Sequence, residues 1–218
     1  MVELPTHLRG APMGERAMTR AELASHQRDR VIAKVTPVFA KRGYLATTVD
    51  DLLATGKIGV GNFYSLFDGK EDCFLACFDR VSVEAQERIE SATEGVTDWD
   101  RRAYLGLAAM LEYFCADPSA ARIVMVEAQC AGSEATARYN AILDRAVAWL
   151  SDGRQGHPEA AELPPSFEQA SVSGLAFYLQ QCLLAARRPS AAELISETSG
   201  LLLEPIIGSD RLGRLTHR

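Results

Sequence analysis

The chain has 218 residues, of which 47% are hydrophobic and 24% are charged, and its formal net charge at pH 7 is −6. These values predict an ordinary globular protein with one large domain, or a small domain joined to a larger one. No run approaches the roughly 18 to 20 apolar residues that cross a membrane. The first residues lack the apolar core of a secretion signal, and five cysteines form no disulfide framework, so the composition argues against membrane and secreted classes. We therefore expect a cytoplasmic protein without a membrane partner.

The charge is unevenly distributed along the chain. Residues 1–67 contain nine Lys and Arg against six Asp and Glu, a net charge of +3, which leaves −9 for the rest. A basic N-terminal third ahead of an acidic body is typical of a small module that binds a polyanion, attached to a larger domain that does not. A charge distribution without function explains the same numbers equally well.

The first elements in chain order are an arm and a helix. Residues 1–21 contain Pro, Gly and Arg without a sustained period, which predicts a flexible N-terminal arm. From about Glu22 to Arg42 the apolar residues recur at helical spacing, and Gly43 suits the left-handed conformation that ends a helix. Pro37 removes one backbone hydrogen bond inside this helix, so a kink is expected there.

Two short helices are predicted next. A hydroxyl N-cap at Thr47 or Thr48, followed by two acids, begins a helix that ends by Thr55. A third helix is predicted over about 59–66, with one buried face and one outward face. The residues predicted to be buried by this segment are Ile58, Phe63 and Phe67, and those predicted to face outward are Val60, Asn62 and Ser65.

Glycines separate these two helices, although each glycine costs a helix about 1 kcal/mol relative to alanine. Gly59 and Gly61 remove side chains at the start of the third helix, so that its backbone can come close to a phosphate or a base edge. Two short helices joined by a tight turn predict a helix-turn-helix, whose second helix lies in the DNA major groove. A connector between two core helices is the alternative, but it does not explain the exposed Asn62, Tyr64 and Lys70.

A fourth helix is predicted from Lys70 to about Ala92, long enough to leave the first module and enter the second. Four or five further helices follow, at about 98–115, 119–131, 134–151, 166–187 and 190–207. The expected fold class is therefore all-α, with an N-terminal three-helix helix-turn-helix head over residues 22–73. Residues 74–218 are expected to form a C-terminal helical domain for ligand binding and dimerisation.

The segment "VFAKRGYLATTVDDLLATGKIGVGNFYSLFDGKEDCF" contains a Gly-Tyr pair, paired threonines, small residues before Phe-Tyr, a closing Phe and a Lys-Glu pair. As an ordered set these features resemble the DNA-binding head of the TetR family of bacterial transcriptional regulators. The resemblance implies a homodimer, a palindromic DNA operator and a C-terminal domain that binds a small molecule. It places phosphate contacts at Thr48, Tyr64 and Lys70, and it places Val60, Gly61 and Asn62 on the recognition-helix face toward the groove. The neighbouring Thr47, Lys57 and Gly59 complete the predicted DNA-binding set.

Three residues depart from the family pattern. Lys57 replaces the glycine usual in the turn, Gly59 replaces the usual serine cap, and Leu66 takes a position that is often histidine. Direct hydrogen-bond readout is therefore expected to be thin, with Asn62 able to pair with adenine and Val60 able to touch a thymine methyl. Lys57 is a candidate for a replacement phosphate contact.

Catalytic motifs are missing from the sequence: it has no P-loop, no zinc-protease pair and no nucleophile elbow. We therefore predict no enzyme activity and no cofactor. An all-helical small-molecule-binding protein or an enzyme without DNA function remains the alternative. Cys73 and Cys77 share a helical face, but no further ligands complete a metal set, so both are expected in the core and no metal site is predicted.

The body is expected to bind a small, largely apolar effector that releases a repressor from DNA. A few polar groups in apolar and aromatic surroundings are typical of a ligand cavity, although ordinary packed helices have the same composition. The fourth helix would transmit the change as a rigid lever between body and head. The candidate ligand-binding residues are Phe114, Glu127, Tyr139, Trp149, Phe177, Tyr178 and Gln181.

Dimerisation is predicted through the last two helices. Both carry broad apolar faces, represented by Leu175, Leu179 and Leu183 on one and by Leu194 and Leu201 on the other. A helix that is apolar over more than one stripe must be covered on two sides, and pairing with a second subunit would give a four-helix interface with two-fold symmetry. Burial of both faces inside a monomer is the competing interpretation.

Overall fold

The computed structural model describes residues 20–185 and 189–216, and within these ranges every regular element is a helix, which confirms the all-α prediction. The predicted arm falls almost entirely on residues 1–19, outside the described ranges. The α-helices are α1 Arg20–Arg42, α2 Val49–Gly56, α3 Val60–Tyr64, α4 Lys70–Thr93, α5 Trp99–Ala116, α6 Pro118–Met125, α7 Ser133–Gln155, α8 Phe167–Leu184, α9 Ala191–Leu202, α10 Glu204–Ile207 and α11 Ser209–Thr216. Two 3₁₀ helices span Glu127–Cys130 and Pro158–Glu162.

The ends of α1 and α2 form as their sequences predict. Gly43 has φ +82°, the left-handed conformation expected after α1, and its N–H donates to the Phe39 carbonyl at 2.9 Å. The chain then folds back so that the Tyr44 ring stacks on Phe39, with ring centroids 6.0 Å apart. At the start of α2 the Thr48 hydroxyl accepts from the Asp51 N–H, and the Asp51 carboxylate accepts from the Thr48 N–H. The predicted capping box is therefore confirmed.

Aromatic side chains of α1, α3 and α4 are buried in the core of the head. Phe63 and Phe67 are 0% and 2% exposed, as predicted, and Phe39 meets Phe74 edge to face at 5.3 Å. Burying one side chain of this size stabilises the fold by about 1.5–3 kcal/mol relative to leaving that side chain exposed. Pro37 lies inside α1, and the helix continues past it to Arg42.

Two predicted helices differ from the observed ones. The helix expected over 119–131 ends at Met125 and continues as a 3₁₀ helix from Glu127, whose carboxylate turns away from the helix axis toward Tyr44. The helix expected over 190–207 divides at Leu203, because Pro205 has no N–H to continue the hydrogen-bond ladder. Helix α11 was not predicted.

Head and body share one hydrophobic core. Buried side chains from α1 to α4 and from the later helices form a single cluster, with α1 packed on α6 and α4 packed along α5. Cys73 and Cys77 are fully buried in it, as predicted, and a hydrogen bond between the thiols together with burial raises the pKa of Cys73. No helix in the described part of the chain is long and apolar enough to cross a membrane.

Candidate nucleic-acid interface

The outer face of α3 is open to solvent. Val60 and Tyr64 are 58% and 54% exposed, and Asn62 is exposed between them. The buried ring of Phe63 anchors the helix from below and meets the Tyr64 ring edge to face at 5.3 Å. None of the described residues bonds the Tyr64 hydroxyl, so that donor is free for an external acceptor such as a phosphate.

The glycines beside this face have no packing role inside the protein. A Cβ placed on Gly59 or Gly61 would meet no atom within 4 Å. Neither residue has a positive φ, so the backbone does not require glycine there. The space beside the N-cap Gly59 and the helical Gly61 is therefore open to a close approach by an external molecule.

The two threonines before α2 differ in placement. Thr47 is 1% exposed, and its hydroxyl donates to the Gly43 carbonyl at 2.7 Å, so this side chain shapes the turn from inside. Thr48 is exposed, and its hydroxyl donates to the Asp51 carboxylate at 2.8 Å. The hydrogen bonds from the Thr48 backbone and hydroxyl lower the pKa of the Asp51 carboxyl.

Lys70 begins α4 and is half-buried against the α1–α2 turn. Its Nζ donates to the Tyr44 carbonyl at 3.0 Å and lies 4.2 Å from the centre of the Tyr44 ring. A lysine ammonium has three donor hydrogens, so two remain for an external acceptor. The side chain is therefore held in place while it keeps the ability to bind a phosphate.

An apolar cavity of about 70 Å³ lies in the body between α5, α6, α8 and α9. Of the seven predicted ligand-binding residues only Phe114 lines it, while Tyr178 and Gln181 line an open groove beside it. Sequence analysis missed most of the wall, although Leu111 and Cys115 stand at helical spacing around Phe114. The main wall residues are Leu111, Phe114, Cys115, Met125, Leu179 and Leu194.

The structure does not bring the other predicted ligand residues to this cavity. Tyr139 is buried on α7, and Trp149 packs on Trp99 with ring centroids 5.2 Å apart. Phe177 is 62% exposed on α8. Glu127 is 5% exposed and lies at the contact between body and head, where it pairs with Arg122 at 2.9 Å.

Comparisons with known proteins agree with this geometry. Residues 36–77 match the family of bacterial regulatory proteins known as the tetR family. The match covers the end of α1, the helices α2 and α3 and the start of α4, so this segment is similar to the tetR family. The HTH-type transcriptional regulator HbdR of Aromatoleum sp. (strain CIB) is 26% identical over 80 residues, which cover 37% of this chain and 35% of that protein. The match therefore spans about a third of that relative's length.

Solved structures share the whole fold at low sequence identity. The fatty acid degradation regulator FadR of Bacillus halodurans superposes with a TM-score of 0.65 at 17% identity, covering 81% of this chain and 94% of that one. FadR of Bacillus subtilis, solved in complex with stearoyl-CoA, gives a TM-score of 0.66 at 17% identity, covering 83% and 98%. At this level of identity the comparison shows that the chain shares the fold of these regulators.

Lys57 stands where the tetR pattern usually has glycine, and its backbone conformation is one that glycine adopts more easily. It caps α2 with φ 51°, the left-handed conformation, and its N–H donates to the Leu53 carbonyl. A residue with a Cβ loses about 1–2 kcal/mol in this conformation, whereas glycine does not. The Lys57 side chain is exposed, so its charge is accessible to an external anion.

Replacing Lys57 with glycine is expected to raise the free energy of unfolding by about 1 kcal/mol and to weaken DNA binding. Lys57→Ala serves as the control, because it removes the charge but keeps the strained backbone. Urea unfolding and DNA titration over a salt series separate the two effects. Equal stability of the glycine and alanine variants would contradict the backbone argument, and unchanged DNA affinity in both would remove Lys57 from the interface.

Proposed function

We propose that this protein is a DNA-binding transcriptional repressor that binds a palindromic operator as a homodimer and is released by a small, largely apolar ligand. The observation that carries the proposal is the exposed face of α3, where Val60, Asn62 and Tyr64 stand beside glycines with no internal packing role. Such a face fits a recognition helix in the major groove, with phosphate contacts from Lys70 and Tyr64 that set its position.

A second copy is the proposed partner of the exposed face of α8. The apolar residues first expected at the dimer interface are largely core, since Leu175, Leu179 and Leu194 are each at most 8% exposed. The exposed apolar residues of these two helices are Phe177 and Leu184 of α8, at 62% and 54%, and the predicted Leu201 of α9, at 50%. Small residues lie on the same exposed face and would allow a partner helix to approach closely, namely Ala170, Ser173 and Gly174.

Phe177→Glu is expected to convert the dimer to monomer at micromolar concentration, because it places two charges in a desolvated interface. Val83→Glu is a matched control, since Val83 is 55% exposed on α4 and lies on no proposed interface. Sedimentation velocity of the parent and both variants measures the result. A monomeric parent, or a dimer that tolerates Phe177→Glu, would contradict this interface.

The proposed ligand site is the apolar cavity, and it must open to be filled. Its volume is about 70 Å³, whereas sites for drug-sized ligands occupy about 300–1,000 Å³. Binding therefore requires the helices around the cavity to separate, which gives the ligand a direct means of changing the conformation. The stearoyl-CoA bound by FadR of Bacillus subtilis supports an acyl or other apolar ligand as the first class to test.

The proposed signal path from the cavity to DNA runs through α5 and α4. Phe114 and Cys115 of α5 line the cavity, and Gly106 of the same helix packs closely enough on Ile89 of α4 that a Cβ would lie 3.4 Å from it. Helix α4 has 24 residues and at 1.5 Å per residue is about 36 Å long. A small rotation at its body end would thus change the separation of two recognition helices, whose half-sites are fixed about one helical turn apart.

A thermal-shift screen of small apolar compounds, followed by operator titration with each hit, tests this proposal. We expect compounds that stabilise the body to lower the affinity for the operator. By linkage, operator DNA must lower the affinity for the same compounds by the same factor. If every stabilising compound leaves operator affinity unchanged, the body does not regulate binding. A protein that fails to bind its own promoter fragment would favour the alternative, a helical binding protein without DNA function.

A further inference from the structure

The Glu127 carboxylate joins the body to the DNA-binding head. Although Glu127 is only 5% exposed, it does not line the apolar cavity. Its Oε2 accepts the backbone N–H of Tyr44 at 2.8 Å, across 83 residues of sequence, and its Oε1 accepts from Arg122 Nη2 at 2.9 Å. A single buried carboxylate therefore bonds α6 and the turn that follows α1.

The carbonyl and the ring of Tyr44 both contact Lys70. The Tyr44 carbonyl accepts from Lys70 Nζ at 3.0 Å, and its ring lies beneath the same ammonium at 4.2 Å. Glu127 therefore fixes the Tyr44 backbone, and the Tyr44 backbone in turn fixes the Lys70 ammonium. This sequence of contacts ends at the charge proposed to bind DNA phosphate.

The turn is shaped to receive the carboxylate. Gly43 has φ +82°, and a Cβ on it would lie 3.4 Å from Glu127 Oε2, so the carboxylate packs directly against the glycine. Burying a charge is unfavourable unless hydrogen bonds replace its water, and here Tyr44 and Arg122 do so. The pair is nevertheless incomplete, because Arg122 Nε is buried without a partner among the described residues. A pair with that defect is poorly explained by stability alone.

We propose that Glu127 is a positioning residue for DNA binding, which fixes the Gly43–Tyr44 turn and through it the Lys70 ammonium. The inference rests on the proposed contact between Lys70 and DNA. It adds a second connection between body and head, separate from the length of α4. It also gives a role to a residue that sequence analysis assigned to ligand binding.

Glu127→Gln tests the inference with little change in volume. The amide must turn its NH₂ group toward either the Tyr44 N–H or the Arg122 guanidinium, so one donor faces another. We expect operator affinity to fall by on the order of tenfold and the slope of log affinity against log salt to become shallower by about one unit per subunit. Glu168→Gln is the matched control, because Glu168 is 6% exposed, pairs with Arg154 at 3.3 Å and, among the described residues, forms no hydrogen bond or ion pair with the head.

A double-mutant cycle with Lys70→Ala separates positioning from general destabilisation. If Glu127 acts through Lys70, Glu127→Gln weakens binding in the parent but not in the Lys70→Ala background. An equal loss in both backgrounds, or a loss matched by Glu168→Gln, would overturn the inference. So would a Lys70→Ala variant that still binds the operator like the parent, although DNA binding by the protein would then stand. Failure of the parent to bind any operator would instead refute the proposed function.

Discussion

Replacing Gly61 with leucine is expected to weaken operator binding by on the order of a hundredfold, since both subunits of a dimer lose close contact in the groove. The same change should leave the free energy of unfolding unchanged or raise it by up to about 1 kcal/mol, because leucine favours helix over glycine. The structure leaves open space for the new side chain, with no atom within 4 Å of the added Cβ. Stability and affinity therefore move in opposite directions.

Gly213→Leu provides the control for this prediction. Gly213 also lies in a helix and a Cβ there also meets open space, but it is in α11, far along the chain from the head. Fluorescence anisotropy with labelled operator and thermal unfolding measure the two quantities for both variants. Parental affinity in Gly61→Leu would mean that no molecule approaches the α3 backbone closely.

Gly153→Ala is expected to destabilise the body by about 3 kcal/mol or more, the largest stability change that we predict for a single methyl group. A Cβ on Gly153 would lie 1.9 Å from the Cζ2 atom of Trp99, well inside van der Waals contact. The indole cannot easily move, because it packs between Trp149 and His157 with ring centroids at 5.2 and 5.6 Å. Helix α7 must then shift as a whole or lose its packing.

Urea unfolding of Gly153→Ala, with Gly213→Ala as the control, measures this change. The control should be neutral or stabilising, because its Cβ meets open space in a helix. Combining Gly153→Ala with Trp99→Leu should give less destabilisation than the sum of the two single changes, since the smaller side chain removes the clash. Strict additivity would show that the methyl group does not meet Trp99.

The sequence predicted the head well because its signals are local. Gly43 after α1 and the Thr48 and Asp51 pair at α2 act within one turn of the residues that they stabilise, so spacing alone identifies them. The end of α6 at Met125 has no such local signal. Glu127 bonds Tyr44 from 83 residues away, and no periodic pattern in either segment reveals that contact.

The ligand-binding and dimer residues are harder to predict from the sequence, because residue type does not reveal which face of a helix is covered. Trp149 and Phe177 are both large aromatic residues on predicted helices. Trp149 packs on Trp99, whereas Phe177 projects into solvent. In α8 the apolar stripe packs inside the monomer, as at Leu179, and the outward face carries small residues between its few apolar ones. The packing of α5, α6, α8 and α9 against one another defines the cavity.

The most direct test of the central claim is a titration of DNA from the regions beside the protein's own gene, over a salt series, with random duplex of equal length as competitor. The account predicts saturable binding by a dimer, at least about a thousandfold tighter than to random DNA at physiological salt. Tyr64→Phe and Lys70→Ala should weaken specific and random binding alike, whereas Asn62→Ala should change the ranking of operator variants. Equal affinity for every duplex tested, with no response to these substitutions, would contradict a sequence-reading role for the α3 face.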